Sequence, residues 1–176
     1  MRLGFYESWL SPESLRGGTV GLAPILAILS FLRMEGESYD RVTMRAGECV
    51  AEWTVDAMPW FHRRLIRSMP APIRVRLLLR LARRAVRDTY RSTRATARVR
   101  RGTATMELHE TIFCTVRERT TQPLCRFYAA VVTRFMTLFE LDLTATMVAC
   151  RGTGASDCVL TMSVSGRPSN EGQEPA

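Results

Sequence analysis

Cysteine is the residue of this chain best able to do chemistry, and four of the five cysteines fall in one stretch: Cys114, Cys125, Cys150 and Cys158. Thiolates are natural zinc ligands, and zinc takes four donors in a tetrahedral shell. The same residues can equally be buried free thiols, which pack as small hydrophobes. Cys125, Cys150 and Cys158 stand as C-x24-C-x7-C, which is not a zinc-finger spacing. Spacing alone therefore leaves both readings open. What makes these residues a candidate site is where the predicted elements put them.

Leu124, Phe127, Tyr128, Val131, Val132, Phe135, Met136 and Phe139 recur at helical spacing, so a helix is predicted here, with Cys125 at its start. Leu141 to Ala149 is rich in β-branched residues and reads as a strand. Arg151 to Asp157 is a turn with two glycines, and Cys158 opens a second strand-like run. Two strands joined this way form a hairpin, with Cys150 and Cys158 facing each other across its mouth. The helix start can fold back over that mouth and bring Cys125 to the same place.

Upstream the pattern is helical. Pro24 to Met34 is apolar nearly all round and reads as a buried helix that Gly36 ends. Ser38 to Trp53 follows as a second helix, in which Gly47 permits close approach of another backbone. Asp56 is a plausible cap for a short helix through Trp60, His62 and Ile66. Pro70 and Pro72 precede a long helix, Ile73 to about Ser92. The period then changes to two. Ala95, Ala97 and Val99 alternate with Thr96, Arg98 and Arg100, Arg101-Gly102 turns the chain, and Thr103 to Phe113 alternates again. The predicted fold is α+β, with N-terminal helices packed on an antiparallel four-stranded sheet. A helix lies between the two strand pairs, and the last pair is the cysteine-bearing hairpin. Residues 1–18 read as a lead-in, 19–164 as one domain and 165–176 as a polar, disordered tail.

All 25 basic residues are arginine, and they are unevenly placed. The segment Arg63 to Arg101 holds 14 of them against one acid, Asp88, so the net charge of +8 arises there. Arg76, Arg80, Arg83, Arg84, Arg87 and Arg91 share one broad helix face. Such a face suits an acidic protein partner. It fits nucleic acid poorly, because no aromatics interleave the arginines to stack bases. The longest apolar run, Val20 to Leu32, is 13 residues and too short to span a bilayer. An odd number of cysteines without a secretory signal reads as a reduced, cytoplasmic protein. The two histidines, His62 and His109, form no acid–base pair by spacing, and no nucleophile motif is present, so an enzyme is disfavoured.

The cysteine stretch resembles the four-vinyl-reductase-type small-molecule-binding domain, a superfamily that shares its fold with subunits of the vesicle-tethering TRAPP complex. The resemblance rests on a cysteine at a helix start, Cys125, followed by Cys150-Arg-Gly-Thr-Gly154-Ala-Ser-Asp-Cys158 leading into a strand. It is sharp over 114–164 and diffuse over 39–113. Family members that sense aromatic compounds bind zinc through the three corresponding cysteines and a glutamate three residues before the second. That position is Met147 here, a poor ligand. The small glycine usual in the helix falls near Ala130, and the aromatic after the last cysteine is replaced by Leu160. Cys114 is then a candidate fourth ligand, alongside an unassigned carboxylate or water.

The resemblance implies a sensor or carrier for an apolar, aromatic or tetrapyrrole-like molecule, held between helices and sheet. Trp53, Trp60, Phe61, Phe127, Tyr128 and Phe135 are the expected pocket lining, although an aromatic stripe at helical spacing is equally what a filled core shows. Two rival functions remain. One is a scaffold using the arginine face, and the other is an accessory protein or enzyme of tetrapyrrole or bacteriochlorophyll synthesis. The apolar helix Pro24 to Met34 further predicts a homodimer, unless later helices bury it.

Overall fold

The structure, a computed structural model, describes residues 22–89, 93–115 and 119–164. The predicted lead-in and tail lie outside the described residues, as does Arg91. The described residues divide into two compact units, one ending at Tyr39 and one beginning at Asp40.

The first unit contains α1 (Leu22–Met34) and the start of α2 (Glu37–Asp56). Gly36 supplies the positive φ, +57°, that separates them. The buried helix expected at Pro24 to Met34 is instead largely open: Phe31 is 63% and Met34 84% exposed, while Leu29 is buried.

The second unit carries the rest of α2, then α3 (Trp60–Ser68), α4 (Ala71–Thr89), β1 (Arg94–Arg100) and β2 (Thr103–His109). A short 3-10 turn, Ile112–Cys114, leads on to α5 (Arg126–Leu138). β3 (Ala145–Ala149), a second 3-10 turn (Arg151–Thr153) and β4 (Cys158–Ser163) complete it. The four strands form one antiparallel sheet in the order β1-β2-β4-β3. This is the α+β architecture that the period changes predicted. Arg101 and Gly102 both take positive φ, 47° and 79°, the geometry of a two-residue hairpin turn matched to strand twist.

One face of the sheet is apolar. Met106 and Leu108 of β2 and Leu160 and Met162 of β4 are fully buried, each stabilising the fold by about 2 kcal/mol. α4 packs over β1, α5 packs over β3, and the two helices meet each other. α5 is wrapped on most sides, which explains its eight buried residues, from Phe127 to Met136. The row Thr43, Gly47, Ala51 and Val55 of α2 is buried at four-residue spacing. Within it Gly47 is required by contact: a Cβ there would lie 2.4 Å from the backbone oxygen of Phe127 in α5.

α3 departs from expectation. Asp56 does not cap it; the cap position is Pro59, with no side-chain bond, and Asp56 ends α2 and pairs with Arg63 at 3.8 Å. No residue of α3 is buried. Its arginines reach toward the protein, Arg67 donating to the Leu138 carbonyl at 3.2 Å.

Candidate metal centre

Each of the four cysteines stands where an element begins or ends. Cys114 closes the 3-10 turn after β2, and Cys125 occupies the cap position at the start of α5. Cys150 follows β3 in extended backbone, and Cys158 opens β4 opposite Leu108. The hairpin thus brings Cys150 and Cys158 to one end of the sheet, where the 3-10 turn and the α5 start bring the other two.

The four sulfurs lie within 4.8 Å of one another. Cys114 Sγ is 3.0 Å from Cys125, 3.4 Å from Cys150 and 3.4 Å from Cys158, and Cys125 is 3.2 Å from Cys158. Zinc–sulfur bonds of about 2.3 Å in a tetrahedron put the sulfurs about 3.8 Å apart. The quartet therefore needs these edges to open by under about 1 Å to enclose an ion. Cys125, Cys150 and Cys158 are buried and Cys114 is half-buried.

Backbone amides face two of the four sulfurs. The Leu124 amide donates to Cys150 Sγ at 3.3 Å, and the Arg151 amide to Cys158 Sγ at 3.4 Å. Thr111 Oγ1 lies 3.2 Å from Cys125 Sγ. The hydrogen bond with Cys125 holds the Cys114 thiol down at about 7. Cys150 is also held low, first through its bond with Cys114. Cys125 and Cys158 are pushed up, each first by Cys114. A cation at the centre would displace the thiol protons and let all four sulfurs act as ligands. The donor set, its count and its outer amides fit a tetrahedral thiolate zinc site.

Loop hydrogen bonds hold the cysteine-bearing segments together. Thr120 sends its amide to the Gly152 carbonyl at 2.7 Å, tying the approach to α5 onto the hairpin turn, and its hydroxyl lies 2.9 Å from the Gln122 carbonyl and 3.1 Å from that of Gly152. Gly152 allows this closeness, since a Cβ there would meet Leu124 at 2.9 Å. His109 Nδ1 sits 2.7 Å from Asp157 Oδ1, linking the end of β2 to the residue before Cys158.

Met147 lines a separate cleft of about 390 Å³. That cleft lies between α2, α5 and β3, with Met44, Ala129, Ala130, Thr133 and Ala145 among its lining and Arg126 and Arg134 beside them. The two arginines are engaged, Arg126 with Asp40 at 3.0 Å and Arg134 with Glu52 at 2.8 Å. The six aromatics expected to line a pocket are not brought together. Trp53, Trp60 and Phe61 are 55%, 68% and 52% exposed. Phe127, Tyr128 and Phe135 are buried, and Phe127 stacks on Phe113 with ring centres 4.8 Å apart. Large rings fill space; the cleft is found where side chains are small. The run Ala129-Ala130 and Thr133 on an otherwise bulky helix was the available signal.

Of the arginine face, Arg76, Arg80 and Arg83 share a cleft with β1, while Arg84 and Arg87 are outside it.

No protein-family model and no curated protein matches this chain. A similar fold is found in the crystal structure of the phenol-responsive sensory domain of the transcription activator PoxR with phenol. The TM-score is 0.54 at 12% identity, over 82% of this chain and 74% of that one.

Proposed function

We propose that this chain is a non-catalytic small-molecule-binding module of the four-vinyl-reductase type, spanning 19–164 and braced by one zinc ion on Cys114, Cys125, Cys150 and Cys158. The observation that carries the proposal is the convergence of four sulfurs from four separate places in the chain. The fold likeness to a phenol-responsive sensory domain supports it. In this reading Cys114 takes the place that the glutamate holds in the family's zinc sensors. Bound zinc would supply cross-linking, clamping β2, α5 and the hairpin at one point.

The ligand site in this reading is the cleft of about 390 Å³ between α2, α5 and β3. Its size is at the lower end of the usual range for ligand pockets, ~300–1,000 Å³. That suits a small aromatic compound better than a tetrapyrrole macrocycle. A reducing cytoplasm keeps the thiols free for metal, and a second copy covers the exposed helical apolars, among them Phe31, Met34, Trp53, Trp60 and Leu65.

The test is native mass spectrometry of untagged protein with added phenol. One zinc per chain and one phenol per chain are expected. A metal-free mass that never takes up phenol overturns the proposal, and a monomer at micromolar concentration removes its second-copy part.

A further inference from the structure

We propose that the cleft between α4 and β1 binds a small, multiply charged phosphate-bearing molecule, with Arg76, Arg80 and Arg83 holding its oxygens. Among the described residues the cleft is lined by Arg76, Leu79, Arg80, Arg83, Ala97 and Val99, and its volume is about 390 Å³. The three arginines stand at four- and three-residue spacing on one face of α4. Ala97 and Val99 come from β1, an edge strand. No described β2 residue lines the cleft.

Three like charges crowd one concavity, and no carboxylate among the described residues answers them. Arg45, Arg63, Arg67, Arg126 and Arg134 all pair with acids, whereas Arg76, Arg80 and Arg83 pair with none of the described residues. Within Arg63 to Arg101 the single acid is Asp88. Arg83 Nε is buried and meets no protein acceptor. A buried N–H without an acceptor is unfavourable, and an anionic oxygen entering the cleft would satisfy it.

The class of ligand follows from the donors. Each guanidinium offers about five N–H groups in a rigid fork matched to phosphate. A single carboxylate would occupy one fork and leave two. A diphosphate or phosphate ester can meet all three, and the floor of Leu79, Ala97 and Val99 offers an apolar backing for whatever carries the phosphate. This cleft shares no lining residue with the α2–α5–β3 cleft or with the four cysteines.

Calorimetric titration of the whole chain with inorganic pyrophosphate tests it, at about 0.15 M salt so that loose surface binding is screened. Saturable binding of one equivalent is expected. Arg80→Gln and Arg83→Gln should each weaken it roughly tenfold. Arg80→Lys, which keeps charge and helix but loses the fork, should fall between. Arg98→Gln, exposed on the opposite face of β1, should change it by less than about twofold. Absence of saturable binding by folded wild-type protein overturns the proposal. So does an equal loss in Arg98→Gln, which would mean unspecific charge. Capture of an oligonucleotide or acidic peptide through the same arginines without pyrophosphate binding would assign the face to a macromolecule, and also defeats it.

Discussion

Replacing Cys114 by serine separates a metal centre from four packed thiols. Cys114 touches all three other members of the quartet, at 3.0, 3.4 and 3.4 Å, yet is only half-buried. If the cluster is just hydrogen-bonded thiols, a hydroxyl in its place costs about 1 kcal/mol. A structural zinc site contributes roughly 10–16 kcal/mol of apparent binding energy, so one ligand in four carries about 3 kcal/mol. At about 2–4 °C per kcal/mol for a chain of this length, the two readings predict Tm losses of about 2–4 °C and about 6–12 °C. The assay is thermal melting of untagged protein beside elemental analysis, with Cys49→Ser as control. Cys49 lies on α2, outside the cluster. The expected result is a loss of at least about 6 °C, zinc well below one equivalent in Cys114→Ser, and a wild-type Tm lowered by a strong chelator. A small loss together with chelator-indifferent wild-type protein would refute the reasoning.

Three further outcomes follow from packing. Gly47→Ala should destabilise by about 1–2 kcal/mol in urea unfolding: the clash with the Phe127 backbone outweighs the roughly 1 kcal/mol gained in helix propensity. Thr146→Trp, at an exposed β3 position lining the α2–α5–β3 cleft, should abolish phenol uptake in native mass spectrometry. Its stability should stay within about 1 kcal/mol of wild type; unchanged uptake would move the ligand site elsewhere. Arg134→Met should cost about 1 kcal/mol by losing the two bonds to Glu52 that join α5 to α2, at 2.9 and 2.8 Å, and high salt should narrow the difference.

Much of the fold is local enough to be written in the residues. Alternation begins at Ala95 because a strand must face core and solvent by turns, and the chain reverses at Arg101-Gly102, where the glycine takes positive φ without steric cost. The hairpin, and with it the approach of Cys150 to Cys158, follows from two strands and a glycine turn. Gly47 announced a close approach, though not that Phe127 would be its partner. Tertiary structure alone decided the rest. Cys114 joins the quartet because the chain leaves β2 through a 3-10 turn that carries it back to the α5 start, and no periodicity encodes that return. The aromatics could not disclose whether they line a cavity or fill a core, since periodicity marks which face is apolar and not how far the opposing face stands off. A void is the difference between two surfaces, and its position depends on distances between elements, set here by small residues such as Gly47 and Ala130.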